Sequence, residues 1–191
     1  VVGPGSPWVV AAKRLLADLI DTGTPAGPSE AIIFADETTD GRLAALDLLI
    51  EAEHGDDSSA FIVTTSKELA DAALAAIPAY WRKMSAQRVN YTKAVLASGR
   101  GGILLAKDAA EAMAFINDYA PEHLQILSKD PRKYLPMIRN AGEILLGEHT
   151  PSTLGNFVLG PSHVLPTGGW AKTFSALSVH DFTKRTSVVE V

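Results

Sequence analysis

Apolar runs of strand length alternate with longer helical patterns along most of this chain, and that alternation constrains the fold more than any other feature. "AIIFAD" (31–36) and "AFIVTT" (60–65) are continuous apolar runs, the pattern of strands covered on both faces. "GILLA" (102–106), "LQIL" (124–127) and "EILL" (143–146) predict three further short strands. Between them, "RLAALDLLIEAEH" (42–54) sets leucines on one helical face, and a second helix is expected from Ser66, a capping residue, to about Ala79. Residues 80–99 read as mostly helical, and "DAAEAMAFINDY" (108–119) and "PRKYLPMIRNA" (131–141) as helices. Strands spaced this way by helices predict βαβ units and a parallel sheet. The expected fold class is therefore α/β, with Rossmann-like parallel-sheet units.

From about residue 147 the periodicity stops. "GEHTPSTLGNFVLGPSHVLPTGGWAKTFS" is rich in Gly, Pro, Ser and Thr, and a long irregular loop over 147–175 is expected to be functional. "KRTSVVEV" (184–191) reads as a last strand-like run.

With 47% hydrophobic and 20% charged residues, the 191-residue chain has the makings of a globular core. Its net charge of −5 and lack of a basic run argue against a nucleic-acid partner. No apolar run approaches a membrane span. Zero cysteines exclude disulfide scaffolds and thiolate metal sites, and fit a reducing compartment, here expected to be the cytoplasm.

Several constellations could carry chemistry. "YAPEHLQIL" sets Glu122 beside His123 at a loop-to-strand junction. Adjacent residues within a strand face opposite ways, but at such a junction both can line one cleft. In "IEAEHGDD", Glu51 and His54 stand three apart near the end of a helix, so carboxylate and imidazole share a face and can hold one divalent ion. A solvated helix end is the plainer alternative for that pair. "GPGSPW" (3–8) is a Gly-rich turn leading into a helix, short of a full dinucleotide fingerprint because Trp8 stands where a third glycine would. Asn156 and His163 sit among glycines in the late loop, and Ser29 closes the turn "TPAGPSE" ahead of a buried strand.

Taken in order, "PAGPSEAIIFADETTD", "AEHGDDS", "YAPEHLQIL", "IRNAGEILLGEHTP" and "GPSHVLPTGG" with "SVHDFTKRTSV" resemble the histidinol dehydrogenase family. The blocks cover nearly the whole chain and look like the central portion of that family's longer sequences. The resemblance implies a homodimer of Rossmann-like halves that oxidises L-histidinol through the aldehyde to L-histidine, with two NAD⁺ and a bound zinc. On that basis residues 1–28 would end one half, and residues 29–191 would form the catalytic portion.

By resemblance, His123 takes the alcohol proton and Glu122 activates the water that hydrates the aldehyde. Glu51, His54 and Asn156 fall on the family's metal and substrate positions. Ser29, His123 and His163 fall on substrate positions, and Ser6 on an NAD-contacting one. Glu51 replaces a family Gln, Asn156 a family Asp, and Ser6 the Asn of the family's "GPGN" turn. The first two departures offset in charge, so a compensated swap within the metal site is expected. Two alternatives stand beside this reading: a paralogue oxidising another amino- or polyhydroxy-alcohol, and a metal- or nucleotide-binding domain that does not catalyse. A zinc hydrolase is disfavoured, since the chain has no H-E-x-x-H.

Overall fold

The structure, a computed structural model, describes residues 7–155 and 159–191. Helix α1 (Pro7–Leu15) precedes strand β1 (Glu30–Ala35), then α2 (Gly41–Ala52), β2 (Ser59–Thr64), α3 (Lys67–Trp81) and α4 (Ala86–Leu96). Strand β3 (Gly101–Leu105), α5 (Ala109–Tyr119), β4 (His123–Leu127), β5 (Glu143–Leu146) and the short α6 (Ser152–Gly155) complete the regular elements. The five strands form one sheet in the order β3-β2-β1-β4-β5, and every pairing is parallel. The expected α/β sheet is present, with β1 at its centre.

Strand β1 shows why its sequence is apolar without alternation. Ala31, Ile33 and Ala35 pack on one face with Ala45, Leu48 and Leu49 of α2, Ala73 of α3 and Val95 of α4. Ile32 and Phe34 pack on the other, with Met113 and Ile116 of α5 and Tyr134. Both faces are covered, so both sets of alternate residues are buried.

Side-chain caps set the helix starts. Asp40, Ser66, Ser85 and Asp108 each accept a hydrogen bond from a backbone N–H in the first turn of α2, α3, α4 and α5. Gly41 lets α2 lie against α3: a Cβ there would come 2.4 Å from the Leu69 carbonyl oxygen. Among the described residues no helix is long and apolar enough to cross a membrane.

Three expectations change. Residues 131–141 form only a 3-10 turn, Pro131–Met137, with Pro136 in its last turn and the backbone already extended at Ile138. The run at 184–191 is not a strand: it pairs with no strand among the described residues, and Val188 and Val189 are exposed. The described residues of 147–175 are mostly irregular but include α6 and a 3-10 turn, Trp170–Lys172.

Candidate active site

Glu30, His123 and Glu143 are the first residues of β1, β4 and β5, so the parallel sheet aligns them along its amino edge. Helix α5 ends at Ala120 with φ +56°, the only non-glycine residue with positive φ among those described. That left-handed residue and Pro121 turn the chain sharply into Glu122, and such strain costs about 1–2 kcal/mol. Beyond the turn, Glu143 N–H donates to the Glu122 carbonyl at 2.9 Å. Gly142 permits this approach, since a Cβ there would meet that same carbonyl at 2.7 Å.

The expected pair is brought together. Glu122 Oε1 lies 3.8 Å from His123 Nε2; the histidine is buried and the glutamate partly so. Glu122 Oε2 accepts the backbone N–H of Glu30 at 3.0 Å. Burial pushes the Glu122 carboxyl up to about 7, with the charges of Glu51 and Glu30 adding to it and that of His123 opposing it. For His123, burial works against the cation. The hydrogen bond to Glu143 and the charges of Glu51, Glu122 and Glu143 outweigh it and raise the imidazole above its ordinary value.

Glu51 is buried near the end of α2, where Ser152 of α6 donates a short hydrogen bond to its Oε1. The helix ends at Ala52, so His54 lies just beyond it rather than within it. The pair still meets, with His54 Nδ1 3.8 Å from Glu51 Oε2. His54 Nδ1 also lies 3.1 Å from the Glu51 carbonyl oxygen. A carbonyl only accepts, so Nδ1 carries the proton and Nε2, on a half-exposed ring, is free to bind a metal. His54 also lines a cleft of about 340 Å³ with Glu53, Ser85, Gln87, Arg88 and Tyr91.

The donor chemistry of Glu51 and His54 suits zinc, but two ligands are half a site. Among the described residues no group of three His, Asp or Glu is arranged to hold a metal. Asn156 and Ser6 lie outside the described residues. Ser29 precedes Glu30 directly, and its carbonyl accepts the Ser59 N–H at 2.9 Å. His163 is exposed, and no hydrogen bond or ion pair joins it to the cluster.

The structure adds residues that sequence reasoning missed. Glu143 Oε2 lies 3.0 Å from His123 Nδ1. Glu30 accepts the Gly168 N–H at 2.9 Å, which ties the late loop to the cluster; burial raises its carboxyl. Asp47 and Gln125 are buried, on α2 one turn before Glu51 and on β4 two residues after His123. Neither Asp47 Oδ2 nor Gln125 Nε2 has a hydrogen-bond partner among the described residues. A polar residue inside an otherwise apolar strand was the available signal for Gln125. Glu143 and Asp47 carried no local signal at all.

Open α/β sheets commonly bind ligands at the carboxyl edge, where the strand order reverses, here between β1 and β4. In this chain that crevice is occupied by its own side chains. Asp36 accepts from Ser128 Oγ at 2.6 Å and Tyr134 OH at 2.9 Å, and from both the amide and the hydroxyl of Thr38. Although burial opposes it, those hydrogen bonds bring the Asp36 carboxyl down to about 2. The acid–histidine cluster sits at the opposite edge.

The family model described as histidinol dehydrogenase matches residues 1–191. A Mesorhizobium japonicum protein named histidinol dehydrogenase homolog 2 is 63% identical over 188 residues, which are 98% of this chain and 43% of that protein. A Synechocystis protein named histidinol dehydrogenase is 53% identical, with the same coverage of each. The crystal structure of histidinol dehydrogenase from Elizabethkingia anophelis superposes with a TM-score of 0.84 at 31% identity, over 94% of this chain and 41% of that one. The chain thus spans less than half the length of the relatives it matches.

Proposed function

This chain belongs to the histidinol dehydrogenase family, and on that premise we propose that its full-length protein oxidises L-histidinol through the aldehyde to L-histidine, using NAD⁺, in histidine biosynthesis. The observation that carries the reading is the Glu122–His123 pair, largely shielded from solvent, with Oε1 and Nε2 3.8 Å apart at one edge of the sheet.

In the first oxidation His123 Nε2 is placed to accept the hydroxyl proton, and NAD⁺, when bound, would supply the hydride acceptor. In the second, Glu122 takes a proton from the water that adds to the aldehyde carbon, His123 returns its proton to the aldehyde oxygen, and the hydrate so formed would lose its hydride to a second NAD⁺. A carboxyl raised to about 7 is ionised in a useful fraction near neutrality, yet basic enough to accept that proton. The two steps thus use two acceptors held in different environments.

Glu51 and His54, with Asn156, would hold a zinc ion, which when bound supplies positive charge to orient and polarise the substrate oxygen. The pocket's charge fits a cationic guest. Glu30, Glu51, Glu122 and Glu143 are paired with no Lys or Arg among the described residues. Both a divalent metal and an ammonium-bearing alcohol answer that charge. Ser29 and His163 are the remaining candidate substrate contacts and Ser6 the NAD contact. The working protein would be a cytoplasmic homodimer.

A second reading rests on one residue, Glu51, at a position where the family carries Gln. A paralogue acting on another amino- or polyhydroxy-alcohol would accommodate that change. The test is NAD⁺ reduction at the nicotinamide absorbance by the zinc-supplied full-length protein, against L-histidinol and a panel of related alcohols. Reduction with histidinol, abolished by His123→Ala, is the expected result. Reduction with a different alcohol alone would select the paralogue. Silence with zinc confirmed bound would select a non-catalytic binding domain.

A further inference from the structure

Strands β4 and β5 pair in a register that sets His123 directly beside Glu143. Partners in register project to the same side of a sheet, with Cβ atoms about 5 Å apart. The outcome is a contact of 3.0 Å between His123 Nδ1 and Glu143 Oε2, both side chains being buried. Glu143 makes no other side-chain hydrogen bond or ion pair among the described residues. A buried carboxylate with no partner is costly, so its place at the head of β5 is explained by the imidazole it faces.

Two further features hold the contact in place. The Glu143 backbone N–H donates to the Glu122 carbonyl at 2.9 Å, which locks β5 to the segment carrying the acid–base pair. On the other side, Gly155 of α6 packs so closely that a Cβ would lie 3.0 Å from Glu143 Oε1 and 2.9 Å from Leu145 Cδ2. Three elements (β4, β5 and α6) therefore converge on one carboxylate.

We propose that Glu143 is the positioning residue of His123: its carboxylate holds the imidazole with the proton on Nδ1, leaving the Nε2 lone pair directed at the Glu122 side of the site. The inference rests on the reading of His123 as the acceptor of the alcohol proton. A carboxylate accepts hydrogen bonds and does not donate them, so the 3.0 Å contact selects one tautomer. When Nε2 takes a proton, the resulting imidazolium keeps its Nδ1–H on Glu143, and the new charge is met by a carboxylate already in place. The same division of labour between an orienting carboxylate and a base nitrogen recurs on unrelated folds. Other charges face His123 as well: Glu122 beside it, Glu51 from α2, and Glu30 from β1 across Glu122. Glu143 differs from them in touching Nδ1.

The test uses the full-length protein with zinc and NAD⁺. In Glu143→Ala, kcat for alcohol oxidation should fall roughly 100-fold or more, with KM changed far less. The acidic limb of the pH–rate profile should move to lower pH, since a stabiliser of the imidazolium is gone. Glu143→Gln, whose amide oxygen can still accept from Nδ1–H, should recover much of the rate but keep the displaced limb. ¹⁵N NMR of labelled histidine reads the tautomer without turnover, with the His123 signal identified by its loss in His123→Asn. The Nδ1–H form should dominate in the native protein and in Glu143→Gln, and give way to a mixture in Glu143→Ala. Loss of rate in Glu143→Ala with an unmoved limb and unmoved tautomer would overturn the proposal. If the native protein oxidises no alcohol, the NMR result alone decides the positioning role, and the failure belongs to the proposed reaction.

Discussion

Replacing Asp47 by Asn should stabilise the protein, and by an amount that grows with pH. Asp47 is buried on α2 beside Gln125, and its Oδ2 has no hydrogen-bond partner among the described residues. Burial, with the charge of Glu51 adding and Gln125 partly offsetting, pushes its carboxyl from 3.8 up to about 6. The folded state therefore holds this proton more tightly than the unfolded chain does. The contribution to stability is most favourable below pH 3.8, declines as pH rises from 3.8 to about 6, and is constant and unfavourable above. A pKa difference of one is worth about 1.4 kcal/mol, so the ionised carboxylate costs about 3 kcal/mol at pH 8 and about 1 kcal/mol at pH 4.5. Asparagine has nearly the same shape and no charge. The gain from Asp47→Asn should thus be larger at pH 8 than at pH 4.5 by about 2 kcal/mol. Urea denaturation at the two pH values, with a chelator present to keep metal off Glu51, measures that difference. The same titration of Glu122 occurs in both proteins and cancels. An equal gain at both pH values, or a loss at pH 8, would refute the account of Asp47 as a buried, inadequately partnered acid.

Other outcomes test the site and its frame. Starting from the aldehyde, NAD⁺ reduction should rise with pH through about 7 as Glu122 ionises, and Glu122→Gln should be slow and flat; a variant with the native profile would remove Glu122 from the hydration step. Gly41→Ala should cost about 1–3 kcal/mol of stability by thermal denaturation, because the new Cβ meets the Leu69 carbonyl and the Ala73 amide, backbone atoms that cannot swing aside; an unchanged melting temperature would contradict the α2–α3 packing. Glu51→Gln should weaken zinc affinity in a competition titration, and adding Asn156→Asp should restore it; a double variant no tighter than the single would rule out the compensated swap.

The strands and most helices were legible because their signals are local. A β1 buried on both faces must be apolar throughout, and a helix beginning at Asp40 or Ser66 needs only its own first turn to be capped. The same holds for Glu122 and His123, adjacent at a chain turn, and for Glu51 and His54, one helical turn apart. Residues 131–141 misled because a short helical pattern does not distinguish an α-helix from a 3-10 turn. The run at 184–191 misled because β-branched residues make a strand only where another strand offers a ladder.

What the sequence determined by itself was therefore the element order, the α/β class and the two short-range pairs. The tertiary structure alone decided which edge of the sheet gathers the acid–histidine cluster and which side chains join it. His123 and Glu143 are 20 residues apart, and Ser152 and Glu51 are 101 apart. Contacts over such separations follow from strand order and register, and these are set by how whole faces bury against each other rather than by any local run. Asp36, filling the crevice at the carboxyl edge, and Glu143, meeting His123 at the amino edge, are both consequences of that packing.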